Sequence, residues 1–285
     1  MNGYTSGPNQ TQGSQTVKPD RTRREGGPPT RRSLSLLIPA FNEAERISGT
    51  LKRTAAFLRK ENYDWEIIVI DDGSSDDTSA IVKTIAKSEG LTGHLKVVRL
   101  PQNQGKGAAV KAGILVSKHQ FCLICDADLA VPIEDIQRLW PSVDLDATAI
   151  VIGSRKLLGE ETVIKSRWYR KILGRVFNAL IARLAPDIYD TQCGFKLIPS
   201  DRAKGLARRQ VELGFAFDVE YLHLALRSGW PVHEVGVNWR HIDGSKVRIV
   251  RDSIRMFRSI IRIWFRSKIG AYGAFPINTA FHPEA

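Results

Sequence analysis

Cysteine is scarce in this chain. Cys122, Cys125 and Cys193 are all it has, an odd and sparse set that builds no disulfide framework and fits a reducing compartment. Cys122 and Cys125 make a CxxC, but they lie in the apolar run from Phe121 to Cys125. That run reads as a strand, which turns the two thiols to opposite faces, and no second pair exists to complete a zinc site. Long hydrophobic runs are lacking as well. No stretch approaches the ~18 apolar residues of a membrane span, and no apolar signal core follows the charges of the N-terminus. The expectation is a chain that is neither secreted nor membrane-spanning. No internal repeat is visible.

Acidic residues are missing from one segment altogether, and this locates the charge. The chain of 285 residues has 42 Lys+Arg against 30 Asp+Glu, a net charge of +12. Residues 1–32 hold +4, residues 162–183 hold +6 with no acid, and residues 245–270 hold +7 with Asp252 as their one acid. This leaves −5 for the other 205 residues. The first segment is rich in Gly, Pro, Ser, Thr, Gln and Asn, and cannot bury enough apolar surface to offset the entropy of ordering; it reads as a disordered basic tail. The rest, 42% hydrophobic and 25% charged over the whole chain, is ample for a globular core.

From Leu34 onward short apolar runs alternate with helical patterns. The runs are 34–38, 65–70, 95–100, 121–125 and 149–153. Their hydrophobicity is continuous rather than alternating, as in strands of a parallel sheet buried on both faces. Helices are expected near 43–60, 76–88, 107–117 and 133–140, the last opening on Pro132. The chain therefore reads as an α/β fold whose ligands bind beyond the carboxyl ends of the strands. The second half changes character. A basic amphipathic helix is expected near 164–184, followed by a loop-like DTQCGFKL. Helices near 201–209 and 217–228, a strand near 232–239 and a basic amphipathic helix near 250–268 complete it, and 271–285 reads as a flexible tail.

Three of the first four strand candidates end in polar clusters: Pro39-Ala40-Phe41-Asn42-Glu43, Asp71-Asp72-Gly73-Ser74 and Asp126-Ala127-Asp128. One Asp at such a place is a helix cap by default. Two carboxylates two residues apart, just beyond a buried strand, can instead hold a hard divalent ion and a diphosphate together. Lys106 in NQGKGAA stands near a helix entry, but the GxxxxGK[ST] spacing of a phosphate loop is absent.

The order PAFNE, VIDDGSSDDT, NQGKGAA, DADLA and GSR resembles the family 2 glycosyltransferases with the GT-A nucleotide-sugar-binding fold. DTQCGFKL, GFAFDVE and WRHIDGSK make the chain similar to dolichyl-phosphate glucosyltransferases and their polyprenyl-phosphate relatives, over about residues 34–265. The resemblance implies a GT-A domain over 33–270 and a set of roles. Pro39, Phe41, Glu43, Asp71 and Asp72 would line the nucleoside pocket. Asp126, Ala127 and Asp128 would meet the sugar diphosphate, the two acids through Mg²⁺ or Mn²⁺. Arg155, Arg240 and Lys246 would add cations for the diphosphate or the acceptor phosphate, with Asp126, Asp128 and Arg155 as the catalytic set. Relatives that transfer mannose often carry Gln two residues after the second Asp; Ala130 stands there in this chain, which leans toward the glucosyl branch.

A sugar hydroxyl acceptor needs a positioned base, whereas a lipid phosphate is already largely dianionic at pH 7. Cations rather than an essential base are therefore expected at the acceptor, with Asp190 and Asp218 as the acids available if a base is needed. In the last helix Arg251, Arg255, Arg258, Arg262 and Arg266 form one stripe beside an apolar stripe of Ile254, Phe257, Ile261, Trp264 and Phe265. Residues 164–184 repeat the scheme. Such helices lie in a membrane interface, or else pack their apolar face on the core. The expected partners are a nucleotide-sugar donor, most readily UDP-glucose with GDP-mannose as the alternative, a polyprenyl or dolichyl phosphate acceptor, and the cytoplasmic surface of a membrane. A membrane-embedded subunit or an oligomer is left open. A non-catalytic lipid- or nucleic-acid-binding protein is the competing reading; nucleic acid is not expected, because no aromatic and basic strand motif is present.

Overall fold

A computed structural model describes residues 32–61, 63–158, 179–240, 242 and 249–273. Its centre is a seven-stranded sheet in the order β3-β2-β1-β4-β6-β5-β7. The strands are β1 (Ser33–Ala40), β2 (Asp64–Asp71), β3 (Leu95–Arg99), β4 (Phe121–Ile124), β5 (Ile150–Ser154), β6 (Lys196–Pro199) and β7 (Val232–Gly236). The first four are parallel, as expected, with Leu37 standing opposite Ile68 and Ile124. β7 joins β5 in parallel. β6 runs antiparallel between β4 and β5, in the segment read from sequence as a loop. Only four residues long and opening on a lysine, it gives no continuous apolar run.

The helices are α1 (Ile47–Lys60), α2 (Thr78–Ser88), α3 (Lys106–Val116), α4 (Ile136–Leu145, after a 3₁₀ turn at Ile133–Asp135), α5 (Ser200–Arg209), α6 (Phe217–Arg227) and α7 (Ile249–Lys268). Ile47, Leu51, Ala55 and Leu58 of α1 recur at helical spacing and are all buried. They pack with α2, α4 and one face of the sheet, including Leu34, Leu36 and Ile38. Leu37, Ile68 and Ile70 face the other way, toward Ala109, Val110 and Ile114 of α3 and Phe217 and Tyr221 of α6. Cys122 and Cys125 are free and buried and fall in different clusters, on opposite faces as the strand period requires.

The basic helix expected at 164–184 lies outside the described residues up to 178; residues 179–184 are helical. The tail expected from 271 begins with an ordered residue, since Tyr272 is buried and its hydroxyl donates to Glu220 at 2.8 Å. No described helix is long and apolar enough to cross a membrane.

Candidate active site

The carboxyl ends of β1, β2, β4 and β5 meet at one edge, and the antiparallel run of β6 brings its amino end to the same place. The β1 and β2 exits are laced together. The Asn42 amide donates to Ser74 Oγ at 2.8 Å, the Glu43 amide to Thr78 Oγ1 at 2.8 Å, and the Ser75 amide to Asn42 Oδ1 at 2.8 Å. Asn42 is held at φ +55°, in the left-handed region. Pro39 and Phe41 stay half-buried, and Glu43 pairs with Arg46 at 2.6 Å.

The two acids after β2 are occupied in building the loops. Asp71 is buried and takes the Ser74 amide at 2.8 Å, the Ser79 hydroxyl and Arg99 at 2.7 Å. Asp72 accepts from the amides of Gln104 and Gly105, both at 2.8 Å, and from Asn103 Nδ2 at 3.1 Å. Burial pushes the Asp72 carboxyl above the usual range against the pull of those amides. Asp72 thus fixes the turn that launches α3, and with it the position of Lys106.

Lys106 Nζ lies 2.5 Å from Asp126 Oδ1, with side-chain exposures of 17% and 38%. Burial alone would raise the Asp126 carboxyl; the ammonium of Lys106, with Lys196 and Arg155 behind it, holds it below the usual range. Lys196 on β6 is wholly buried, 2.7 Å from Asp218 Oδ1 at the start of α6, and also donates to the Cys193 carbonyl. Gly194 presses on the Asp126 carboxylate, where an added Cβ would lie 2.2 Å from Oδ2. Cations and anions therefore alternate beneath the DADLA loop. Asp128 Oδ1 accepts from the Ala130 amide at 2.9 Å, and Leu129 between them sits at φ +51°.

Arg155 is held by Asp190 through Nε at 2.7 Å and Nη2 at 2.8 Å, while its own amide donates to the same acid at 3.0 Å. The Asp190 carboxyl, which burial would raise, is held low by this fork. The Arg240 amide donates to the Ala130 carbonyl at 2.8 Å, tying the exit of β7 to the DADLA loop. Beside it a cleft of about 520 Å³ opens between Arg53, Glu134, Trp239 and Arg240. Lys246 lies outside the described residues.

The structure thus gathers Asp126, Asp128, Arg155 and the Arg240 backbone about one edge, with Asp71 and Asp72 as its scaffold. It adds Lys196, which the sequence reading passed over. The available signal was a lysine inside the otherwise apolar FKLI. Among the described residues no cluster of three or more His, Cys, Asp or Glu can hold a metal. Two hard carboxylates fit Mg²⁺ or Mn²⁺, which commonly bind one or two protein carboxylates and take further ligands from substrate phosphates.

The family model of glycosyl transferase family 2 matches residues 35–201. The dolichyl-phosphate β-glucosyltransferase of Dictyostelium discoideum is 37% identical over 249 residues, 84% of this chain and 76% of that protein. Those of Saccharomyces cerevisiae and Homo sapiens are 35% and 33% identical, over 84% and 85% of this chain and 76% and 78% of theirs. Among solved structures, glucosyl-3-phosphoglycerate synthase from Mycobacterium tuberculosis with UDP superposes with a TM-score of 0.59 at 19% identity, covering 81% of this chain and 80% of that one. The same synthase with Mn²⁺, UDP-glucose and phosphoglyceric acid gives 0.57 at 19%, over 84% and 80%. At such identities the likeness speaks for the fold. The parallel sheet, the strand-end acids and these relatives together make the chain a glycosyltransferase of the GT-A fold, and it belongs to glycosyltransferase family 2.

Proposed function

We propose that this enzyme transfers glucose from UDP-glucose, with inversion, to a dolichyl or polyprenyl phosphate at the cytoplasmic face of a membrane. The observation that carries the acceptor class is the state of the two spare acids. Asp190 is committed to Arg155 and Asp218 to buried Lys196, so neither stands ready as a general base. A phosphate dianion needs none. Its oxygen forms the bond to the sugar's anomeric carbon as the bond to the nucleotide's β-phosphate oxygen breaks, and the nucleoside diphosphate leaves with the electron pair. No proton has to move in that step.

Pro39, Phe41 and Glu43 would contact the nucleoside, on a floor held by Asp71 and Asp72. Asp126 and Asp128 would hold Mg²⁺ or Mn²⁺, which when bound screens the diphosphate and stabilises the leaving group. Lys106, Arg155, Arg240 and Lys246 would supply the remaining positive charge. The names of the curated relatives support the glucosyl donor and the lipid acceptor, and the metal-bearing structural neighbours support the ion.

Membrane seating is supported by α7. Ile260 and Ile263 pack inward on Leu184 and Val219, whereas Ile254, Ile261, Trp264, Phe265 and Ile269 are exposed, from 39% at Trp264 to 61% at Ile269. Four of the five residues of the expected apolar stripe therefore face outward, Phe257 being half-buried, and the core is covered by different residues of the helix. The arginine stripe is not uniform: Arg255 and Arg258 are exposed, but Arg262 is drawn onto Glu212 at 2.5 Å and Arg266 lies over the Tyr272 ring. The deciding experiment supplies radiolabelled nucleotide sugars and extracted polyprenyl phosphate. Labelled lipid from UDP-glucose is expected; labelled lipid from GDP-mannose alone would replace the donor, and no organic-phase product from any donor would sink the lipid acceptor.

A further inference from the structure

Of the two carboxylates suited to the metal, one already holds a cation. Lys106 Nζ sits 2.5 Å from Asp126 Oδ1, while among the described residues no ion pair involves Asp128. The backbone that carries Lys106 has little freedom. Asp72 holds the Gly105 amide, and Gly105 and Gly107 lie so close to the next loop that an added Cβ would meet the Leu213 and Glu212 carbonyl oxygens at 2.5 and 2.6 Å. What can move is the flexible four-carbon stem of the lysine. Burial disfavours its charge, but Asp126 and Asp218 outweigh that and keep it an ammonium.

A divalent ion arriving on Asp126 alone meets this ammonium across the same carboxylate, and the two repel. The site then offers it one net carboxylate, too little for a hard ion that relies on several anionic oxygens. A nucleoside diphosphate changes both terms, since it brings oxygens for the ion and a second anion for the lysine. We propose that Lys106 is an interlock: it covers Asp126 until a nucleoside diphosphate draws its ammonium away, so that ion and donor bind as a pair and each binds weakly without the other. The inference rests on the nucleotide-sugar reading above and adds a binding order to it.

Calorimetry and Mn²⁺ electron paramagnetic resonance on the full chain test it with four probes: Mn²⁺ alone, UDP alone, the two together, and uridine. In the wild type UDP is expected to tighten Mn²⁺ by roughly 5- to 150-fold, and Mn²⁺ to tighten UDP by the same factor, as linkage demands. Uridine, which has no phosphate, should leave Mn²⁺ binding unchanged. Lys106→Met should bind Mn²⁺ alone more tightly than the wild type does and lose most of the coupling, whatever its wild-type size within that range. Lys106→Arg, which keeps the cation, should retain it. If the Met variant does not fold, as a thermal melt will show, Lys106→Gln carries the same expectation. A wild type that binds no UDP with either ion overturns the donor reading and the interlock together. UDP binding whose coupling to Mn²⁺ is equal in the wild type and Lys106→Met overturns the interlock alone.

Discussion

Gly194 shows how closely the site is built. Its backbone is not left-handed, so no turn requires a glycine there; the requirement is the 2.2 Å that would separate a Cβ from Asp126 Oδ2. Gly194→Ala must therefore displace a carboxylate assigned to the metal and diphosphate by something on the order of 1 Å, which costs up to about a hundredfold in rate. The expected outcome is a fall of that size in kcat/KM with a melting temperature close to that of the wild type. Activity within a factor of two would show that the position of Asp126 is not critical. The buried Lys196–Asp218 pair belongs to the same scale. Such pairs contribute little net stability because desolvation offsets their attraction, so its placement beside Asp126 points to the chemistry rather than to the fold.

Among the elements, α7 is tied down by a neutral histidine. His223 of α6 donates from Nδ1 to the Leu184 carbonyl at 2.8 Å, and its Nε2 accepts from Ser267 at the end of α7, also at 2.8 Å. Burial, helped by the charge of Arg227, pushes the imidazole below its ordinary value. A histidine lowered in the folded state contributes stability that is complete above its unfolded value, about 6.5, and is lost as pH falls through the folded one. The melting temperature should thus decline from pH 7 toward pH 5, and His223→Gln, which keeps two polar ends, should flatten that decline. A wild-type profile with no slope in this window would remove His223 as its source.

The elements also show what could be read in advance. Strands β1, β2, β4 and β5 were legible because apolar residues run unbroken over 36–38, 67–70, 121–125 and 149–152 where both faces are covered, β3 by Val97 and Val98 at its centre, and α1 because Ile47, Leu51, Ala55 and Leu58 repeat at its period. The paired acids at the strand ends were legible for the same reason, as charge placed abruptly after apolar runs. β6 was not, because Lys196 breaks its pattern and its pairing with β4 depends on residues more than seventy positions away. Nor could spacing reveal that Asp72 faces amides of the β3–α3 turn, since that depends on a fold of the loop that only tertiary contacts fix.

At the scale of the whole molecule the surplus of base becomes a surface. Arg255 and Arg258 flank the exposed Ile254, Ile261, Trp264 and Phe265 on α7, which is the make-up of a helix that lies in an interface. Two terms should then be separable in vesicle co-sedimentation. Replacing Arg255 and Arg258 by Gln should weaken binding to anionic vesicles by at most about fivefold each, an effect that added salt erases. Replacing Trp264 and Phe265 by Ala should weaken binding at every salt concentration, since each loses apolar contact on the order of 1.5–3 kcal/mol when fully inserted. Equal binding by all variants would place the membrane contact elsewhere.

The antiparallel β6 also sets the timing of biosynthesis. Cys122 of β4 pairs with Ile198 of β6, so the edge of β4 stays open until the ribosome has added the intervening stretch, about 4–15 s of synthesis at ordinary elongation rates. Strands β1 to β4 can pair in that interval, while Lys196, Asp218 and Asp190 have yet to emerge. An unpaired apolar strand is a template for association with other chains. The nascent enzyme therefore passes through a half-sheet in which Asp126 has Lys106 but not yet Lys196 beside it, and this is the stage at which a chaperone would have most to protect.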